Sequence, residues 1–414
     1  MDFTRSEAEL EVSQLAARVL AARSLTDTGH RLAGALPNDP AAAGVSTDFD
    51  AGLWQDLARA GLLSLALPAG LGGDELGVQA TAAVLTEVGR RAARVPALAT
   101  LALGVLPVVR SADIGLKRQL LAGVASGDTV LTAAIREPSD PMPVVPRTVV
   151  TVRAGRPGTV SGLKIGVPYA AAASWILIPA AIEASASAGV ADAAYGGRTV
   201  VAVIEPDADG LSCQRTRSSS GLPEYTLRLE DTPVVCLLDG CTAENLYQLA
   251  VAGACAVADG VLAAALDLTT GHVRSREQFG RPLATFQAVA QQIADVYATA
   301  RTVHLATVSA CWQLDTGRDA GRDTDVAAYW LAEYGPRAMR TCHHLHGGLG
   351  MDVSYPLAGY SALMTDLVAL VGGADDRLER LSWREQGWRE QGSAGQRPSE
   401  PGLPELTARE AADA

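Results

Sequence analysis

Lysine is nearly missing from this chain. Lys117 and Lys164 are the only two in 414 residues, and arginine supplies the rest of the positive charge. With a formal net charge of -12 the sequence lacks the clustered cations that phosphate neutralisation needs, which excludes a general nucleic-acid binder. No basic N-terminal segment leads into an apolar run, and no apolar stretch reads as long enough and free enough of charge to span a bilayer. A soluble cytoplasmic protein without a membrane span is the expectation. The six cysteines, Cys213, Cys236, Cys241, Cys255, Cys311 and Cys342, form no C-x-x-C pair and no metal-ligand spacing. They read as small core residues in a reducing compartment.

Hydrophobic residues make up 48% of the chain and charged residues 19%, a globular composition with length for two or three domains. Apolar positions such as Val12, Leu15 and Val19 recur every three to four residues, and residues 51–60 and 78–91 read as amphipathic helices. From Thr129 to about Leu238 the texture changes to short β-rich runs at 148–152, 175–178, 199–204 and 225–229, punctuated by Gly, Pro and Asp. These predict a small antiparallel barrel or sandwich. Long helical patterns return at 244–276, 286–314, 323–345 and 357–381, the number and length of a four-helix bundle. The expected fold class is therefore α+β and multidomain: an N-terminal α-helical domain over 1–128, a middle β-barrel or sandwich domain over 129–240, and a C-terminal four-helix bundle over 241–382. A polar, Pro-rich tail over 383–414 reads as disordered.

The stretch Arg276-Glu-Gln-Phe-Gly-Arg-Pro-Leu-Ala-Thr-Phe-Gln287 carries the clearest chemical content. Arg276 offers planar bidentate donors suited to a pyrophosphate, and Gln287 can donate and accept toward a sugar or base edge. Gly280 and Pro282 predict one helix ending and another beginning, which would place both side chains near a helix N-terminus, where anions are favoured.

This segment resembles the R-x-x-F-G-x-P-[LI]-x-x-F-Q motif of the acyl-CoA dehydrogenase family. Leu345-His-Gly-Gly-Leu-Gly-Met-Asp-Val-Ser-Tyr-Pro-Leu357 resembles that family's Q-x-x-G-G-x-G loop. Met1-Asp-Phe-Thr, Leu53-Trp-Gln-Asp-Leu-Ala-Arg-Ala-Gly61, Leu67-Pro68 with Gly72-Gly73, and Leu85-Thr-Glu-Val-Gly-Arg90 extend the resemblance over about the first 380 residues. It implies an acyl-CoA dehydrogenase-like helical, β, helical order with FAD held between the β domain and the bundle. It also implies that Arg276, Phe279, Gln287 and the loop His344, Leu345, His346, Gly347 and Gly348 contact the pyrophosphate and adenosine of a flavin bound mainly by a neighbouring subunit.

The sequence departs from the family on the flavin-ring side. A T-E-P-G-[AS]-G-S-D run is shortened to Ile135-Arg136-Glu137-Pro138-Ser139-Asp140, and a K-x-[WF]-[IV]-[ST] run reads Lys164-Ile165-Gly166-Val167-Pro168. Lost are the glycines that let a backbone approach a flavin, an aromatic plate, a hydroxyl and one N–H. The family's catalytic glutamate, which removes the α-proton of the acyl thioester, falls at Val371, Gly372 or Gly373, none of them an acid. Asp375 and Asp376 lie a turn away. Where relatives carry the base on the long helix, Ala250 or Val257 stands here, with Asp259 the nearest carboxylate.

Three other features have plainer readings. His343, His344 and His346, with His304 and His272, suggest a metal site, yet adjacent helical residues point about 100° apart and no carboxylate or thiol sits at ligand spacing. Gly70-Leu-Gly-Gly73 lacks the strand and the G-K-[ST] of a phosphate loop, and Ser218-Ser-Ser-Gly221 reads as a loop between strands. Leu262, Ala265, Leu266 and Val273 are bundle core or the wall of an acyl channel.

Selective loss of the flavin-ring half predicts an acyl-CoA dehydrogenase-like subunit without a catalytic glutamate. It would act in a hetero-oligomer on an acyl-CoA in lipid or steroid side-chain catabolism. The resemblance implies as partners a second acyl-CoA dehydrogenase-like subunit, in a heterodimer or α2β2 heterotetramer, and an electron-transfer flavoprotein as electron acceptor. The alternatives are a self-sufficient homotetramer with Asp259, Asp375 or Asp376 as base, and a non-enzymatic acyl-binding scaffold.

Overall fold

The computed structural model describes residues 6–22, 49–153, 156–183 and 199–394. The Met1-Asp-Phe-Thr motif and the last part of the tail lie outside these residues.

The N-terminal part is helical: α1 (Glu7–Ala21), α2 (Ala51–Arg59), α3 (Val78–Arg90), a π-helical stretch Leu98–Val105 running into α4 (Leu106–Val109), and α5 (Ile114–Leu121). Local chemistry fixes the helix starts. Ser6 and Glu9 form a capping box on α1, and the Asp50 carboxylate accepts the Leu53 N–H at 2.9 Å to cap α2.

Eight strands follow: β1 (Leu131–Ala133), β2 (Val149–Arg153), β3 (Arg156–Pro168), β4 (Trp175–Glu183), β5 (Thr199–Ile204), β6 (Leu211–Thr216), β7 (Glu224–Pro233) and β8 (Cys236–Leu237). They make one sheet in the order β6-β7-β3-β2-β4-β5-β8, with β1 also on β4. The sheet is mixed rather than wholly antiparallel as expected. β1 pairs in parallel with Trp175 to Leu177 of β4, and β2 in parallel with Ala181 to Glu183. The edge of β4 between those two segments, around Pro179, has no strand partner on that side among the described residues.

The C-terminal part opens with α6 (Ala243–Ser275), started by a Thr242/Asn245 capping box. A two-residue hairpin of β9 (Glu277–Gln278) and β10 (Arg281–Pro282) leads into α7 (Gln287–Asp315). Then come α8 (Gly321–His346), α9 (Pro356–Val371) and α10 (Gly373–Ala394). The last helical pattern is thus two helices broken at Gly372, whose φ is +93°. Helix α10 also continues the ordered backbone to Ala394, past the start of the expected tail.

By length and composition α6 could cross a membrane, contrary to the expectation that no stretch would. It is the buried core helix of the bundle, with 89% of its most apolar window inside the protein, and the run Pro356–Glu385 meets the same test of length and composition with 39% of its window buried. Glycines set how closely α3 and α6 cross. A Cβ on Gly89 would lie 2.0 Å from the Val257 carbonyl oxygen, and one on Gly260 1.8 Å from that of Thr86. Cys255 and Cys241 are buried, and burial pushes their thiols up to about 12 and about 11, which keeps them protonated and unreactive.

Candidate functional site

Arg276 is the C-cap of α6, in extended conformation, with its N–H on the His272 carbonyl at 2.8 Å. It therefore sits at a helix C-terminus, not near an N-terminus as the Gly280 and Pro282 reading predicted. The chain then turns back through the hairpin, where Phe279 (φ +55°) and Gly280 (φ +76°) are both left-handed, the pair a tight two-residue turn requires. Phe279 holds that disfavoured conformation while 91% exposed, its ring edge-on to Phe286 at 6.1 Å. Gln287 opens α7, so this carboxamide does stand at a helix N-terminus. Among the described residues neither the Arg276 guanidinium nor the Gln287 carboxamide has a partner.

The Gly347–Met351 turn follows α8 at the same end of the bundle, joined to α6 by stacking of His346 on His272 at 4.5 Å. Gly347 adopts φ +57° and ψ -131°, open only to glycine, and a Cβ on Gly347 or Gly348 would meet nothing. Gly350 is tighter, its hypothetical Cβ 2.7 Å from the His343 carbonyl oxygen, while its own carbonyl meets His343 Nδ1 at 2.7 Å. His344 is exposed, whereas Leu345 and His346 are turned into the protein, so a contact from Leu345 would use its backbone. His346 Nδ1 meets the Cys342 carbonyl at 2.8 Å, and its Nε2 is buried without a partner among the described residues. Open glycine backbone, an unpaired guanidinium and an orphaned buried nitrogen fit a dinucleotide's pyrophosphate end.

The flavin-ring side is built differently. The Glu137 carboxylate accepts from the N–H groups of Arg147 (2.8 Å) and Thr148 (3.0 Å), the Thr148 hydroxyl (2.7 Å) and Lys164 Nζ (2.8 Å). Lys164 Nζ also donates to the Pro179 carbonyl at 2.9 Å, on the unpaired stretch of β4. Burial pushes the Glu137 carboxyl up, but the Lys164 charge and these hydrogen bonds outweigh it and hold the group below its usual range. Burial pulls Lys164 down to about 8. The Glu and Lys of the two altered motifs are thus a fully buried strut. Arg136 lies over Gly166, where a Cβ would stand 2.4 Å from its Nη1.

Beyond this strut, the β-domain loop and the bundle touch. A Cβ on Gly372 would lie 2.6 Å from Pro141 Cγ. Arg377, 2% exposed, donates to Met142 Sδ at 3.0 Å, to the Val371 carbonyl and to Asp325 at 2.9 Å. Arg380 donates to the Met142 carbonyl, and the Arg384 Nε reaches Asp325 at 2.7 Å. A second β-domain loop is tied to α9, where Asp366 accepts the N–H groups of Ser219 (2.8 Å) and Ser220 (2.9 Å). The arginines that close this seam carry no motif, and only their density at 377, 380 and 384 could have drawn attention to them.

The three carboxylates considered as bases are dispersed. Asp259 is buried on α6 and paired with His304 Nδ1 at 2.9 Å. Asp376 lies between Arg380 (3.0 Å) and Arg377 (3.5 Å), and Asp375 faces solvent in the first turn of α10. Val371, Gly372 and Gly373 form the helix break itself. Leu262, Ala265 and Val273 are buried in the bundle.

Models of the acyl-CoA dehydrogenase N-terminal and C-terminal domains match residues 34–128 and 246–379. Acyl-CoA dehydrogenase FadE28 of Mycobacterium tuberculosis is 43% identical over 333 residues, spanning 80% of this chain and 91% of that protein. The chain belongs to the acyl-CoA dehydrogenase family. Among solved structures, a variant of the Tcur3481-Tcur3483 steroid ACAD superposes with a TM-score of 0.80 at 31% identity, over 94% of this chain and 99% of the other. The ChsE4-ChsE5 complex from Mycobacterium tuberculosis gives 0.79 at 27%, with the same coverage. FAD is the cofactor of this family of oxidoreductases, and related folds are solved with it bound.

Proposed function

We propose that this chain is the subunit of a hetero-oligomeric acyl-CoA dehydrogenase that lacks the catalytic glutamate and completes an FAD site belonging mainly to its partner. The observation that carries the reading is the seam of Pro141 and Met142 against Gly372, Arg377 and Arg380, at the boundary where the family holds the flavin ring. These packed side chains support a centre without a catalytic acid, and the exposed Arg276 with the open Gly347 and Gly348 backbone supports a nucleotide-facing end. Bound FAD supplies the hydride acceptor for α,β-dehydrogenation of an acyl thioester. Arg276 would hold its pyrophosphate, Gln287 its sugar or base edge, and the Gly347 and Gly348 backbone would allow close approach.

A steroid or lipid acyl-CoA is the substrate class that the steroid ACAD neighbour favours. Heteromeric neighbours favour a second acyl-CoA dehydrogenase-like subunit as partner, and an electron-transfer flavoprotein is the natural acceptor in the cytoplasm. The exposed apolar residues Phe279, Leu349, Met351 and Val353 belong to the hairpin and loop at this end, as an interface would require. The test is to purify the chain alone and together with a second acyl-CoA dehydrogenase-like chain of the same organism. Stoichiometric yellow flavin and acyl-CoA oxidation are expected from the pair only. Full FAD content and turnover by the lone chain would overturn the proposal.

A further inference from the structure

The sequence places His346 in the cofactor loop and offers His272 only as a further donor for a metal site, yet the fold stacks their rings, centroids 4.5 Å apart and 23° from parallel. We propose that His272 and His346 extend the pyrophosphate site that begins at Arg276, and that they take up a proton when the diphosphate of FAD docks there. The inference rests on the FAD site proposed above.

Three observations carry it. First, a carbonyl can only accept, so the bond to Cys342 places the neutral ring's proton on His346 Nδ1 and leaves Nε2 as a bare acceptor. That Nε2 is buried and unpartnered among the described residues, in a side chain only 5% exposed. Protonated, it becomes a donor that an anion's oxygen would satisfy. Second, no side chain among the described residues supplies a counter-ion. Helix α6 presents His272 and Arg276, α8 presents His343, whose Nδ1 is held by the Gly350 carbonyl, and the approach to α9 presents the Tyr355 ring at 5.2 Å. Asp352, on the same loop, is exposed and bonded to Ser354. No carboxylate among the described residues pairs with either ring. Third, a dinucleotide diphosphate is the missing negative charge, and Arg276, one turn from His272, is its predicted ligand.

Electrostatics agrees in direction. Burial, then His346 and Arg276, hold His272 below the usual histidine range. Burial holds His346 there as well, with the Cys342 carbonyl offsetting part and His343 adding to it. Both rings are then neutral near pH 7, and a bound diphosphate reverses the balance. The two linkages have opposite signs. In the free chain both folded values lie below the unfolded 6.5, so these groups cost stability as pH falls through 6.5. In the loaded assembly the bound state holds the extra proton, so FAD affinity rises as pH falls, by up to about tenfold per pH unit for one proton.

The test uses the assembled pair of subunits stripped of FAD. FAD, and separately CoA, which also carries an adenine diphosphate, is titrated calorimetrically from about pH 6 to about pH 8 in buffers of different ionisation enthalpy. Net proton uptake with FAD is expected, with affinity about tenfold weaker at the alkaline end. His272→Phe, which keeps a stacked ring, and His346→Gln should each flatten that slope and remove most of the uptake. FAD binding with buffer-independent heat, uptake unchanged in both variants, or uptake with CoA and not FAD overturns this inference alone. Failure of the pair to bind FAD at all overturns it together with the reading it rests on.

Discussion

Lys164 shows how much one residue can carry in a chain with two lysines. Its ammonium is 0% exposed and balances a carboxylate that is 2% exposed, so removing either partner strands a buried charge. Lys164→Met is expected to destabilise the protein by about 3–5 kcal/mol at neutral pH. Adding Glu137→Leu should recover much of that loss. The pH signs differ between the two proteins. In the native chain the Glu137 value is depressed, so its contribution is present above the unfolded 4.5 and lost as pH falls through the folded value. In Lys164→Met the stranded carboxyl is desolvated without a cation, its value rises, and mild acid should lessen the defect. Urea midpoints of the three proteins at neutral pH and at about pH 5 check both statements. A Lys164→Met chain as stable as the native one would show that the strut contributes little.

At the scale of elements, the Gly372 break and the seam behind it join the β domain to the bundle. Periodicity located α6, α7 and α8 to within a few residues, because each has a core-facing stripe long enough to read. It ran α9 and α10 together, passing over the Gly372-Gly373 pair, whose left-handed backbone (φ +93° and +85°) ends one helix and starts the next. The long strand β3 escaped for the opposite reason, since Pro157, Gly158, Gly162 and Gly166 hide its alternation. The hairpin at Phe279 and Gly280 was read as a turn between helices because the positive φ of Phe279 has no sequence mark. Arg377 ties the seam together, so Arg377→Met should cost on the order of 3 kcal/mol by leaving Asp325 with Arg384 as its remaining cation. Amide exchange should quicken locally at residues 137–142 and 371–377, with α6 and α7 unchanged. Uniform acceleration across the bundle would mean that the seam is not a separable unit.

For the whole molecule, the two ends of the proposed cofactor site differ in how they can be read. The residues assigned to the nucleotide end lie in contiguous motifs, Arg276 to Gln287 and His344 to Gly348, which the fold brings to one end of the bundle, although Arg276 stands at a helix C-terminus and not near an N-terminus. The closed end was legible only as absences, a missing glutamate and missing glycines. What fills the gap comes from residues 135–142, 164–166 and 371–384, brought together by packing between the β domain and the bundle. This division makes a sharp prediction for Arg276, which is exposed and unpaired among the described residues. In the lone chain, Arg276→Gln should leave thermal stability within about 0.5 kcal/mol of native, as surface changes do. In the assembled pair the same change removes a charge-assisted contact to a diphosphate, worth about 1.5–3 kcal/mol, and FAD should bind about 10–100-fold more weakly. Fluorescence titration of stripped assembly with FAD measures the second effect, and a melting curve of the lone chain the first. Equal FAD affinity in native and variant assemblies would place the pyrophosphate elsewhere, and a large stability loss in the lone chain would make Arg276 a structural residue.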